Sequence, residues 1–370
     1  MPGSVMVLGG CGEIGRSVVR DLLETSRFSK VIVADYREEY GLRFVEGLGS
    51  RKAVFRKVNV KDKEGLVESL KGVDVVVNTV GPFFEFGTAA AQAALEAGVN
   101  YVDICDDHDV TESLLNLNRL AEREGLTFII NAGASPGLTN IMAKMAAERL
   151  DEVKAVNVFW YEDTGETIGY GQLAHWAHIA MGKVPSYIGG EWTLVRALTE
   201  REEVEFPEPC GLVPVYHVGH PEPVTIPRYI ETSEATCKGG ILPESNITLT
   251  KAVDKLLFIK TSWSVRWTCK FFLKLLPLLS GSTEEREVVS AFRSDVKGKK
   301  RGRETSFSYA VVGKVARLTS APASITAQMI SERQVESRGV FPPEGCPDLN
   351  IETFMKELKR RNVEIVEMKK

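Results

Sequence analysis

The stretch that decides the fold is Val5-Met-Val-Leu-Gly-Gly-Cys-Gly-Glu-Ile-Gly15. Val5–Leu8 reads as a buried strand. It runs directly into Gly10-x-Gly12-x-x-Gly15, and helical periodicity continues over Gly15–Glu24. Each glycine answers a physical demand: Gly10 permits the tight turn, Gly12 lets backbone approach a diphosphate, and Gly15 lets the helix lie close to the sheet. A diphosphate then sits on unpaired N–H groups at the positive end of the helix. Alone this spacing is a weak signal. Here a strand precedes it, a helix follows, and Asp35 ends a second apolar run, Val31–Ala34. Together these features define a dinucleotide-binding βαβ unit.

Working outward, strand and helix candidates keep alternating. Glu38–Leu48 (helix), Ala53–Val60 (strand), Lys63–Leu70 (helix), Asp74–Thr79 (strand), Thr88–Ala97 (helix), Tyr101–Ile104 (strand) and Thr127–Asn131 (strand) follow in order. Continuous apolar runs in such an alternation predict a Rossmann-type, doubly wound parallel sheet, α/β in class. After about residue 140 the texture changes. A helix (Ile141–Leu150) and a strand (Val153–Tyr161) precede a stretch rich in Gly, Pro and aromatics. The basic run Lys297–Arg303 reads as a hairpin tip ahead of a strand at Ser306–Val312, and helices are expected at Ala321–Ser331 and Ile351–Arg361. The expected organisation is a dinucleotide-binding domain at 1–137, an α+β substrate and dimerisation domain at 138–318, and C-terminal helices at 319–370 that return to the first domain.

A formal net charge of −4 over 370 residues excludes general nucleic-acid binding, which needs concentrated basic surface. Six scattered cysteines without a C-x-x-C pair read as reduced thiols in a cytoplasmic protein. The start lacks a basic region leading into a long apolar core, so no secretory leader is expected. Leu256–Leu279 is the most membrane-like segment, but Lys260, Arg266, Lys270 and Lys274 interrupt it. No transmembrane span is expected there; the segment reads as an amphipathic surface helix, with a membrane-surface or partner-facing helix as the alternative.

The cofactor-contacting set begins with Gly10, Cys11, Gly12, Glu13, Ile14 and Gly15. Asp35 is placed to accept hydrogen bonds from the ribose hydroxyls and to repel a 2′-phosphate, which favours NAD. Arg37 points the other way, to a 2′-phosphate or to adenine stacking, so NADP stays open. Asn59 and Val60 close the third strand, and Asn78, Thr79, Val80 and Gly81 close the fourth, where the nicotinamide end of the crevice lies. Several rival chemistries are missing. No tyrosine has a lysine four residues downstream, and G-x-x-x-x-G-K-[ST], G-x-S-x-G and H-E-x-x-H are absent.

Three further stretches carry a resemblance: Gly81–Asp107 (GPFFEFGTAAAQAALEAGVNYVDICDD), Asn131–Asn140 (NAGASPGLTN) and Ser320–Glu344 (SAPASITAQMISERQVESRGVFPPE). With the opening glycine motif they resemble the saccharopine dehydrogenase/reductase-like family, which includes lysine 6-dehydrogenase and carboxynorspermidine synthase. The matching features are Gly81-Pro82, Gly98-x-x-Tyr101-x-Asp103, Pro136-Gly137 with Asn140, and the Gly-Val-x-Pro-Pro-Glu turn ending at Glu344. The resemblance is loose between about 145 and 320. It implies hydride transfer between NAD(P) and a C–N bond through an imine, and a homodimer formed through the second domain.

Such chemistry needs a proton carrier near neutral pH and donors for substrate carboxylates. Asp103, Asp106, Asp107 and His108 cluster past the fifth strand, where clustered carboxylates raise one another's pKa. Asp103 and Asp106 are catalytic candidates, and Pro82, Asp107 and Arg228 are substrate-binding candidates; helix capping is the competing reading for Asp106 and Asp107. His175 is the preferred single acid/base, with His178 three residues on, against a buried structural histidine. His217, His220 and Glu222 have a spacing that suits metal, but their Pro-rich loop offers no rigid support, so no metal is expected. Arg196 reads as a carboxylate clamp or a surface ion pair, and Cys105 as a small core residue rather than a nucleophile. The resulting expectation is an NAD(P)-dependent oxidoreductase acting on a saccharopine- or lysine-type amine. The alternatives are a semialdehyde or cyclic-imine reductase and a non-enzymatic NAD(P)-binding, membrane-surface protein.

Overall fold

Ser4–Leu8 (β1) is apolar without alternation because it is covered on both faces: Val5, Met6, Val7 and Leu8 are all buried. In the computed structural model, which describes residues 3–163, 170–242, 244–257 and 289–368, β1 lies inside a seven-stranded sheet. To one side lie Lys30–Asp35 (β2) and Ala53–Lys57 (β3). To the other lie Val75–Asn78 (β4), Asn100–Asp103 (β5), Thr127–Ile129 (β6) and the late strand Gly339–Phe341. All pairings are parallel. Leu8 lies opposite Ala34 on β2 and Asn78 on β4, so the C-terminal ends of the three strands align beside the glycine loop. The strand order, with a reversal between β1 and β4, is that of a Rossmann sheet.

Helices Glu13–Thr25 (α1), Glu38–Leu48 (α2), Lys63–Leu70 (α3) and Phe83–Ala97 (α4) connect the strands. One core joins Leu66 and Leu70 of α3 and Ala90, Ala91 and Ala94 of α4 to Met6, Leu8, Val76, Tyr101 and Phe128 of the sheet. α4 starts at Phe83, five residues before the expected Thr88. Pro82 precedes its first residue with φ near the helical value, and the Asp107 carboxylate accepts from the Phe84 N–H at 2.7 Å, which extends the helix backwards.

The chain divides into two units, Met1–Ile141 with Ala316–Glu364 and Met142–Val315 with Ile365–Lys370. The C-terminal segment is tied to the first unit by a buried ion-pair network. Arg361 Nε lies 2.9 and 3.1 Å from the two Asp21 oxygens of α1, while Nη2 donates to Thr25 and Nη1 to Glu357. The last strand, Val366–Glu367, instead pairs with the second unit's sheet.

That second sheet is mixed and has nine strands among the described residues. Glu152–Asp163 (β7) runs parallel to the strand Glu234–Leu242 and antiparallel to Ser290–Lys300. Lys183–Ile188 (β8), Glu191–Arg196 (β9), Glu202–Phe206 (β10), Gly211–His217 (β11) and Glu234–Leu242 (β12) build one side, and Ser290–Lys300 (β13) and Arg303–Gly313 (β14) the other. The basic run is the tip of the β13–β14 hairpin, with Arg301 and Gly302 at φ 51° and 74°. Most of the amphipathic segment Leu256–Leu279 lies outside the described residues. Among the described residues no helix is long and apolar enough to cross a membrane.

Candidate dinucleotide site

The turn after β1 is made by Gly9, one residue before the glycine that the spacing singles out. Gly9 takes φ 74°, while Gly10 is clamped beneath β2, its N–H on the Ala34 carbonyl at 3.1 Å. A Cβ on Gly10 would come within 2.9 Å of Val33 Cγ1 and of the Val7 carbonyl oxygen. A Cβ on Gly15 would lie 2.2 Å from the Gly9 carbonyl oxygen, so this glycine is what allows α1 to start against the loop. Gly12 has the opposite surroundings: its added Cβ would meet only the Gly9 oxygen, at 3.2 Å, and no side chain caps the helix. The first turn of α1 carries no side-chain cap, which fits a diphosphate on its N–H groups. Cys11 is buried at this turn, and burial together with the Asp35 charge pushes its thiol up to about 11. Glu13 is exposed and Ile14 half-buried at the start of α1.

Asp35, at the C-terminal end of β2, is buried and heavily engaged. Its Oδ1 accepts from the Arg37 backbone N–H and from Arg37 Nε, both at 3.0 Å; its Oδ2 accepts from Arg37 Nη2 at 3.1 Å and from the Cys11 N–H at 3.3 Å. The Arg37 guanidinium is thus a fork on the very carboxylate that would repel a 2′-phosphate. Two residues that sequence reasoning missed complete this end. The Arg37 guanidinium carbon lies 5.1 Å from the centre of the Tyr40 ring, and that of Arg16, in the first turn of α1, lies 5.9 Å from it; Arg16 also donates to the Tyr40 hydroxyl. Two cations and an exposed aromatic ring therefore flank the end of β2. The signal for Arg16 was its place directly after Gly15. Asn59 is exposed and Val60 half-buried beyond β3.

At the end of β4, Thr79 donates its N–H and its hydroxyl to the Leu8 carbonyl, at 2.9 and 2.8 Å, which joins this strand end to the glycine loop. Asn78 is fully buried: its Nδ2 donates to the Tyr101 hydroxyl and its Oδ1 accepts from the Val80 N–H, each at 3.0 Å. Gly81 is exposed with nothing within 4 Å of an added Cβ, and Pro82 is buried at the head of α4.

The aspartates past β5 separate by environment. Asp103 is fully buried, and its Oδ1 accepts from the N–H groups of Cys105 and Asn131, at 3.0 and 2.8 Å. Burial pushes its carboxyl up to about 6 against the lowering effect of those amides. Asp107 is buried on the α4 N-terminus, Asp106 is half-buried and Cys105 is buried. Asn131, at φ 59°, donates to the Cys105 carbonyl and the Thr111 hydroxyl, at 2.7 and 2.8 Å. The Pro136-Gly137 turn follows: Gly137 has φ 127°, and a Cβ there would lie 2.1 Å from the Gly133 oxygen. Its N–H donates to Asn140 Oδ1, and Asn140 Nδ2 donates to Glu344 at 2.7 Å. The most recognisable motif residues therefore hold strand ends together.

In the second unit, His175 is half-buried on the helix Tyr170–Ile179, its ring 5.5 Å from that of His220. His178 is half-buried on the same helix. Arg228 is exposed, with Nε on the Val224 carbonyl and its guanidinium 5.5 Å from the Trp192 ring centre. Arg196 pairs with Asp254 at 3.0 Å and lines a cavity of about 420 Å³ with Arg201, Tyr216 and Lys251. His217, grouped with His220 by spacing, instead meets Glu200 at 2.9 Å.

The parallel sheet and the glycine loop define a Rossmann-type fold in the first unit. Residues 5–129 match the family model described as the saccharopine dehydrogenase NADP binding domain. It is 28% identical over 198 residues to carboxynorspermidine synthase of Vibrio cholerae, a match covering 49% of this chain and 47% of that protein, so about half the length of each is aligned. Over 136 residues it is also 28% identical to a lipid droplet localized protein of Caenorhabditis elegans, covering 35% of this chain and 32% of that one. Among solved structures, apo saccharopine dehydrogenase (L-Glu forming) from Saccharomyces cerevisiae shares the fold, with a TM-score of 0.68 at 13% identity over 99% of this chain and 100% of that chain.

Proposed function

We propose that this chain is an NADP-preferring oxidoreductase that transfers a hydride at the C–N bond of an amino acid, a saccharopine- or lysine-type secondary or primary amine. The observation that carries the reading is the uncapped N-terminus of α1 beside the Arg37–Asp35 pair, in a stretch that matches the saccharopine dehydrogenase NADP binding domain. The expectation of NAD rested on a bare Asp35 carboxylate. With Arg37 forked onto it and Arg16 close by, the charge that would exclude a 2′-phosphate is compensated, which favours NADP over NAD.

When bound, the nicotinamide supplies the hydride donor or acceptor. The chain's own groups then have distinct tasks. Gly12 and the first-turn N–H groups of α1 hold the diphosphate, and Thr79 fixes the end of β4 against the glycine loop. Asp106, half-buried beyond β5, is the proton carrier. Asp103 and Asp107 are positioning residues, since their carboxylates secure β6 and α4 by accepting backbone N–H groups. Arg228 serves as a donor to a substrate carboxylate. The same reading makes the protein a cytoplasmic homodimer; the edge strand β9, with exposed Trp192 and Leu194, supports association through the second unit.

A screen of NAD(P)H change tests the activity. Oxidation would be followed with lysine, saccharopine and ornithine; reduction would be followed with lysine plus 2-oxoglutarate, and with glutamate plus aminoadipate semialdehyde. Saturable cofactor binding without turnover of any amine would overturn the amino-acid reading. One observation favours a further, compatible reading, attachment to a lipid surface: the similarity to a lipid droplet localized protein, together with the basic amphipathic sequence Leu256–Leu279. Flotation with anionic liposomes, lost in Lys270→Glu with Lys274→Glu, tests it.

A further inference from the structure

We propose that the second unit contains a site for a zinc-class divalent cation, built from His220, Glu222 and Cys237. The imidazole, carboxylate and thiol donor atoms of these residues all lie within 4.8 Å of one another, and all three residues are buried. His220 Nδ1 is 3.5 Å from Glu222 Oε2. One nitrogen, one oxygen and one sulfur donor form a set suited to Zn²⁺, which accepts all three types in a small tetrahedral shell.

The Pro-rich loop looked too loose in the sequence to hold a metal, yet its ends are anchored. Cys237 lies inside β12, opposite Val158 of β7, and its carbonyl accepts from the Val218 N–H. The Gly219 N–H donates to the Ile179 carbonyl, which pins the segment carrying His220. Glu222 opens the helix Glu222–Tyr229, which packs on β12. Trp160 covers the cluster from β7: its ring lies 5.2 Å from that of His220, in space that Gly239 leaves by lacking a Cβ, which would otherwise come within 2.2 Å of the indole. A strand, a pinned loop and a helix start thus hold three different donors. Three protein ligands leave a fourth position for water. On binding, the metal replaces the thiol proton, which passes to solvent.

The test uses the full chain, reduced with a phosphine, stripped with chelator and titrated with Co²⁺ or Zn²⁺. The expected result is about one metal per chain and a Co²⁺ spectrum of the tetrahedral type with a thiolate charge-transfer band. Cys237→Ser should abolish that band. His220→Gln and Glu222→Gln should each weaken uptake at least about tenfold, whereas His217→Gln should leave it unchanged. Zinc-edge X-ray absorption of the unaltered protein should show one sulfur among nitrogen and oxygen neighbours, a readout independent of how the variants fold. Failure to take up a stoichiometric metal, or a zinc shell without sulfur, overturns the proposal.

Discussion

Replacing Arg37 with alanine separates the two nicotinamide cofactors. In the structure the Arg37 guanidinium makes two hydrogen bonds to Asp35, at 3.0 and 3.1 Å, and its side chain is 41% exposed. A hydrogen bond to a charged group contributes about 1.5–3 kcal/mol. Partial exposure places the loss for a 2′-phosphate near the lower end, about 1.5–2 kcal/mol. NADPH should therefore bind roughly 10- to 30-fold more weakly to Arg37→Ala. The change also leaves the Asp35 carboxylate without its fork, facing the 2′ position, and this discriminates further against a phosphate there. NADH gains access to that carboxylate for its ribose hydroxyls, so its affinity should change by less than about threefold. Quenching of protein fluorescence, titrated with each cofactor at low and moderate salt, reads both constants. Salt should weaken NADPH binding to the unaltered protein more than to the variant. Parallel losses for NADPH and NADH would refute the reasoning, because they would mean that Arg37 supports the loop rather than the 2′-phosphate.

Other perturbations follow from the same geometry. Gly15→Ala forces the loop off the Gly9 oxygen, 2.2 Å from the new Cβ, and should cost about 1–3 kcal/mol of stability and at least about tenfold in cofactor affinity, measured by urea unfolding and the same titration. Arg361→Met leaves Asp21 buried with Arg317, 3.4 Å away, as its one cationic neighbour among the described residues; a loss of about 3 kcal/mol is expected, lowering the first unit's Tm by roughly 6–12 °C, with partial recovery on adding Asp21→Asn. Because the Asp103 carboxyl is raised from 3.8 to about 6 in the fold, its proton is held more tightly folded than unfolded, and its stabilising contribution, complete below pH 3.8, is lost as pH rises through 6. Asp103→Asn removes that dependence, so variant stability relative to the unaltered protein should rise by roughly 2–3 kcal/mol between pH 4 and pH 7, a trend that denaturant melts at each pH would show or contradict.

The central βαβ unit was legible because its signals are local. Continuous burial makes β1 apolar throughout, and the glycine spacing states where backbone must pass close to backbone. Even there, the tandem Gly9-Gly10 hid which residue turns the chain, since positive φ belongs to Gly9 while Gly10 serves contact with Val33. What escaped sequence reasoning was long-range pairing. Asp107 stands at a helix start and looks like its cap, yet its carboxylate accepts from Phe84, on α4. Spacing grouped His217 with His220 and Glu222, but the register of β11 sends His217 to Glu200, and β12 brings Cys237 in its place. Asp35 and Arg37 were both named as cofactor contacts; their pairing with each other was not, because opposite charges two residues apart meet only where the strand ends and the chain bends.

The most direct measurement of the central claim is an equilibrium titration of the full chain with NADPH and NADH under identical conditions. The account predicts saturable binding of NADPH at one site per chain, tighter than NADH, and weakened by Gly15→Ala. Absence of saturable binding by either dinucleotide, or binding indifferent to Gly15→Ala, would contradict it.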